Sequence, residues 1–203
     1  MAVEAALITP LLILLVFGII EFAFVMRDHV AVSSAVRTGA RTASAAADAG
    51  QGTCEGIPDA PTCTPAGSPA LAQAAADAIQ RAGSAMPSDS IDYILIYKAN
   101  DKGYPGADGS TAMPTTCAGV PNCVRFTWRD ALDKFRYAGG SWASASINAC
   151  INEADSLGVY MHATHKSLTG LFGDTFGISD HVVMSFEPLP HDTCKPGRLM
   201  AHP

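Results

Sequence analysis

Apolar positions along this chain fall into two regimes. From Ala5 to Met26 nearly every residue is apolar, with Glu4 at the edge of the run and Glu21 inside it. A run of about 20 apolar residues is long enough to cross a bilayer as a helix, and an amphipathic surface helix of a soluble domain does not need apolar residues all round. Arg27 and Asp28 close the run, and a stretch rich in Ala, Ser, Thr and Gly continues to Gly50 with no strong helix stop before Gly50-Gln51-Gly52. The pattern predicts one long helix over residues 1–49, lipid-facing first and small-residued afterwards, followed by a head over 50–203. The small residues permit close packing of the helix against helices or against a sheet of the head.

Beyond residue 50 the periodicity changes. Residues 54–68, rich in Pro, Gly and Thr, read as a loop. Pro69 to Ala85 carries Leu71, Ala75, Ile79 and Ala82 on one face and reads as an amphipathic helix, with Ser68 as its N-cap and Pro69 in its first position. Residues Asp89 to Ala99 read as a strand buried on both faces or nearly so, Asn100 to Asn122 as a long loop and Cys123 to Trp128 as a second strand. A short helix is predicted over Arg129 to Tyr137, and two more strands over Leu157 to Lys166 and Ser179 to Glu187. The expected fold class is α+β: a long N-terminal apolar helix, then a helix packed on an antiparallel sheet. The second half of the long helix is expected on the sheet's other face.

Composition sharpens the compartment. The six cysteines all follow the apolar run. An even number after a membrane-length segment predicts disulfides in an oxidising compartment. Local loops favour Cys54–Cys63 and Cys117–Cys123, which leaves Cys150–Cys194 to tie down the tail. No C-x-x-C occurs, so a zinc site is not expected. The net charge of −6, with 13 basic residues and no basic run, argues against nucleic acid as a partner. Arg27, Arg37 and Arg41 follow the span and on their own would favour a cytoplasmic C-terminal side, against the cysteines. A basic leader preceding Met1 and removed by processing would reconcile the two.

Catalytic signals are weak. There is no G-x-S-x-G elbow, and the Asn100–Ser110 loop lacks the spacing and closing glutamate of a calcium loop. His162 and His165, three apart on a predicted strand, should point to opposite faces rather than share a metal. No catalytic residue, metal or cofactor is expected, and the chain is not expected to be an enzyme. Trp128, Tyr137 and Trp142 are expected in the core rather than in an adhesive patch.

Three segments carry a family resemblance: Val3-Glu4-Ala5-Ala6-Leu7-Ile8-Thr9-Pro10, then Phe17-Gly18-Ile19-Ile20-Glu21-Phe22, then Ser34-Ala35-Val36-Arg37-Thr38-Gly39-Ala40-Arg41. Together they resemble the TadE-like pseudopilins of tight-adherence pilus systems, over about the first quarter of the chain. Ile96-Tyr97-Lys98-Ala99, Leu168 to Gly173 and Met184 to Pro188 are similar to the heads of actinobacterial members. The resemblance implies cleavage of a leader by a prepilin peptidase, residence in the cytoplasmic membrane with the head outside, and transfer by assembly machinery into or onto an extracellular filament. The implied partners are other pilin subunits, or further copies of this chain, and membrane lipid before assembly. The subunit-assembly candidates are Glu4, Pro10, Glu21, Arg27, Arg37 and Arg41. Glu4 would meet a free α-amine, its own or a neighbour's. For Glu21 two readings stand: reaching water or a nearby base such as Arg27, or an inter-subunit pair with Arg27 or Arg37, for which Asp28 is a competing partner. The alternative function is a single-pass membrane protein whose extracellular head binds a ligand and never polymerises. A secreted enzyme carrying an N-terminal anchor is the third class.

Overall fold

A computed structural model describes residues 2–50, 52, 67–82, 86–170 and 173–195, with residues 2–6 as backbone only. Helix α1 runs unbroken through Ala2–Ser44, including Pro10. After two further turns Gly50 adopts φ +75° and ends the helical path. Beyond it Gly52 N–H donates to Ser68 O (2.8 Å) and Ala70 N–H donates to Gly50 O (3.0 Å). This delivers helix α2, Ala70–Arg81. Its N-cap is Pro69, with no side-chain cap, so Ser68 does not take the predicted role. A proline at that position already has the extended backbone the helix entry needs, and its missing N–H costs nothing there.

Five strands follow: β1 Ile91–Lys98, β2 Cys123–Arg129, β3 Lys134–Ser141, β4 Ser156–Lys166 and β5 Thr175–Ser185. They form one antiparallel sheet in the order β3-β2-β1-β4-β5. The fold is therefore α+β, a long apolar helix leading into a helix-on-sheet head. β1 is buried along almost its whole length, as the apolar run with little polar alternation predicts for a central strand.

Two further expectations are corrected. The segment 129–137 is not a helix. Asp130–Leu132 make a single 3-10 turn, Asp133 takes a left-handed conformation, and β3 begins at Lys134. Cross-strand aromatic packing decides it: Phe135 meets Trp128 edge-on at 5.1 Å and Tyr137 meets Phe126 at 6.5 Å, pairs available only to an antiparallel hairpin. The second correction concerns α1, whose second half packs on the same sheet face as α2. Val32, Ala35, Val36, Ala40, Ala43 and Ala47 share one core with Leu71, Ala75 and Ile79 of α2 and with Ile94, Ile96, Val124, Phe126, Val159 and Met161 of the sheet. Gly39 explains how closely the helices meet. A Cβ there would lie 2.8 Å from Ile79 Cδ1 and 3.4 Å from the Ala75 carbonyl.

The opposite sheet face is occupied by the 99–122 loop, which packs Cys117, Met113 and Val120 over Tyr93, Leu95 and Tyr97. Asn100 organises this loop. Its side chain donates to the carbonyls of Ala107 (2.8 Å) and Ser110 (3.0 Å) and accepts from the backbone N–H groups of Lys102 and Tyr104. Tyr97 donates to Gly103 O at 3.1 Å, and burial holds its phenol protonated well above the usual tyrosine range. Trp142 is buried, and Trp128 and Tyr137 pack against the core.

Cys117–Cys123 and Cys150–Cys194 form as predicted; Cys54–Cys63 lies outside the described residues. The second bridge closes a 44-residue separation and holds the tail beside Ala149, whose N–H donates to Cys194 O at 2.8 Å.

Two outcomes test this packing. Gly158 lies directly under the buried Tyr97 ring, with no room for a methyl group, so Gly158→Ala should destabilise the fold by about 1–3 kcal/mol, read as a lower denaturation midpoint in detergent. Replacing Cys150 and Cys194 together by Ser should cost about 4 kcal/mol, the loop-closure value for that separation, in the same assay; an unchanged midpoint would refute it.

Candidate functional site

The 43 helical residues of α1 divide at Glu21. On its N-terminal side Leu7 to Ile20 are exposed or nearly so, Leu7 at 75% and Leu11 at 70%. The helix from Leu7 onwards is long and apolar enough to cross a membrane. Residues 2–20 amount to about 28 Å of helix at ~1.5 Å per residue, against roughly 30 Å of bilayer hydrocarbon.

On the C-terminal side β4 and β5 run alongside α1. At one end the Glu187 N–H donates to Ser44 O at 3.0 Å. At the other end the chain leaving β4 reaches Glu21. The eleven residues of β4 cover about 36 Å at ~3.3 Å each. Glu21 to Ser44 covers about 35 Å of helix. The match in length lets one hairpin brace the helix at both ends.

The Glu21 end is a buried polar cluster. Glu21 is 2% exposed. Its carboxylate accepts hydrogen bonds from the backbone N–H of Leu168 (3.0 and 3.1 Å to the two oxygens), from the Thr169 N–H (3.2 Å) and from the Thr169 hydroxyl (3.2 Å). Seven residues on, two turns along the same helix face, Asp28 is also buried. One of its oxygens accepts from Arg27 Nε and a terminal guanidinium nitrogen at 3.2 and 3.1 Å. The other lies 2.6 Å from His165 Nδ1, which carries the hydrogen when Asp28 is a carboxylate. His165 Nε2 sits 3.5 Å from a Glu21 oxygen, without hydrogen-bond geometry. A buried carboxylate is costly unless several donors meet it, and this turn supplies them.

The two histidines part as predicted. His165 faces α1, while His162 lies on the outer face, stacked on Tyr93 at 5.3 Å and 2.8 Å from Asp92.

The other candidates are dispersed along α1. Glu4 lies in the helix's first turns, its side chain outside the described residues. Pro10 lies in the exposed apolar half. Arg27 serves Asp28 and also lies over the Phe24 ring at 5.5 Å. Arg37 and Arg41 are exposed on the helix side facing away from the core, in a shallow groove beside Met184 and Glu187, with no ion pair among the described residues. Sequence reasoning named Asp28 as a partner for the arginines, and Arg27 takes it. The hairpin turn at 167–170 was missed as the partner of Glu21, because a backbone N–H has no side-chain signature in sequence. The one available signal was the Ser-Leu-Thr-Gly turn composition of residues 167–170.

A family model described as TadE-like protein matches residues 1–41. No curated protein and no solved structure matches the chain.

If Glu21 holds the turn, Glu21→Ala should speed hydrogen exchange at Leu168 and Thr169 by roughly 10- to 100-fold, the equivalent of about 1–3 kcal/mol for donors left unsatisfied. Amides in β1 should be unaffected. Unchanged exchange at Leu168 and Thr169 would remove the proposed brace.

Proposed function

Because the chain is TadE-like over residues 1–41, we propose that it is a pilin-like structural subunit of a tight-adherence type pilus, held in the membrane by α1 before incorporation into or onto an extracellular filament. The carrying observation is the division of α1. Its first half is apolar and uncovered, and its second half belongs to the core of the head. Such a helix suits a membrane before assembly and the apolar centre of a polymer afterwards, since both offer an apolar surround to the same side chains. Two disulfides in the head support an oxidising compartment, outside the cytoplasm. In this reading surface adhesion is the work of the finished filament.

Glu4 gives the assembly its register. A carboxylate at the end of an apolar segment is costly unless neutralised, and the free amine of a neighbouring or the same subunit would neutralise it once a prepilin peptidase has exposed that amine. The helix dipole adds to its favour at this end. Arg37 and Arg41 are available to acidic groups of adjacent subunits. The reading is of a structural protein rather than an enzyme.

The test is Glu4→Ala in the producing cell. Membrane fractionation should show the variant inserted at the wild-type level, while sheared surface filaments should contain at least tenfold less of it. Normal incorporation of the variant overturns the Glu4 mechanism. Absence of the wild-type chain from sheared filaments favours a membrane-bound binding module that never polymerises.

A further inference from the structure

We propose that residues 167–170, where the chain leaves β4, are a second membrane contact, a foot that rests in the phospholipid headgroup layer beside the point where α1 enters the bilayer. The proposal rests on the membrane-anchoring reading above and adds a surface to it.

Position comes first. The turn bonds Glu21 through the backbone N–H groups of Leu168 and Thr169, so it sits at the level where the uncovered apolar half of α1 begins. If residues 2–20 fill the hydrocarbon, this level is the edge of the headgroup layer, which is roughly 5–8 Å thick on each side of the bilayer. Chemistry agrees with position. Leu168 is 71% exposed although its own N–H is fixed against a buried carboxylate. The backbone therefore presents an apolar side chain outward, with no partner among the described residues of the head. Beside it on α1, Phe22 is 63% exposed and Phe24 37%, completing an apolar collar.

Cations lie just above. Arg27 is six residues beyond Glu21, about 9 Å along the helix; its side chain is 52% exposed despite the Asp28 contact. Lys166, two residues before Leu168, is also exposed. Both have aliphatic stems that can lie along the collar while their charges reach lipid phosphates. Arg27, Lys166 and Leu168 border one cleft with Phe24. Asp28 and Asp89 line the same cleft and Asp174 stands at the base of the turn, so the acidic groups offset Arg27 and Lys166 and the foot carries no net positive charge. The matching partner is the phosphate layer of phospholipids in general, with Leu168 supplying the apolar contact, rather than a specifically anionic lipid.

The experiment uses the full chain, oxidised, in phospholipid nanodiscs, with one added thiol carrying an environment-sensitive fluorophore. The positions are Leu168→Cys, Leu14→Cys in the apolar half of α1, and Asp108→Cys on the exposed loop at the far end of the head. Lipids carry a quencher at a shallow or a deep acyl position. The Leu168 probe should be quenched at least twofold more by the shallow quencher than by the deep one, in phosphatidylcholine and phosphatidylglycerol alike. The Leu14 probe should respond most to the deep quencher and the Asp108 probe to neither. A Leu168 probe as unquenched as that at Asp108, beside a quenched Leu14 probe, overturns the foot and leaves the anchor intact. Quenching at Leu168 only in phosphatidylglycerol overturns the assignment to phospholipid phosphate in general. An unquenched Leu14 probe overturns the anchor and the foot together.

Discussion

The burial of one carboxylate governs how the two halves of this molecule are joined. Glu21 lies in an apolar stretch, where an ionised group without donors would be expensive by several kcal/mol. The fold meets that demand with the backbone N–H groups and a hydroxyl of a turn 147 residues away in sequence. Once the turn is fixed there, the direction of β4 follows, and with it the position of the sheet against α1. Asp28 and His165 place a second polar contact two turns further along the helix. The helix is thus registered against the sheet by polar contacts at its Glu21 end and by the Glu187–Ser44 bond at the other, with alanines packed between them.

The small residues of α1 make the second constraint. Gly39, in the Arg37-Thr38-Gly39-Ala40-Arg41 segment, lies where a side chain would meet Ile79 and the α2 backbone. With alanines above and below it, the helices approach until their backbones nearly touch, and α2 is carried by α1 rather than by the sheet alone. Residues 32–47 form one wall of the head's larger core. The long helix is therefore both the stalk of the molecule and a wall of its head.

Much of this was legible in sequence where side-chain type fixes the answer. The apolar run, the strands around Ile94, Phe126 and Val159, and the two bridges Cys117–Cys123 and Cys150–Cys194 follow from pattern and spacing. What failed did so for specific reasons. The window 129–137 has its apolar residues at spacings that suit a helix, and only the partnership of Phe135 with Trp128 turns it into a strand. The sheet face taken by α1 differs from the expected one because the 99–122 loop, polar in composition, packs Met113, Cys117 and Val120 against the other face. Of the candidate assembly residues, Glu21 was picked out by being charged among apolar neighbours, but its partner is main chain, which no residue name reveals.

The pairing of a 43-residue helix with strands lying along it has a mechanical consequence. In the proposed role, a subunit drawn out of a bilayer would be loaded along the helix axis. Here that axis runs beside β4 and β5, and the attachments at Ser44 and at Glu21 lie at opposite ends of the same hairpin. A pull along the helix loads both attachments together, in shear, with the interlocked side chains between them sharing the strain. Peeling them apart one at a time would need a sideways force. The head should therefore travel with its helix as one rigid piece, and traction applied to the stalk is delivered to the whole sheet at once.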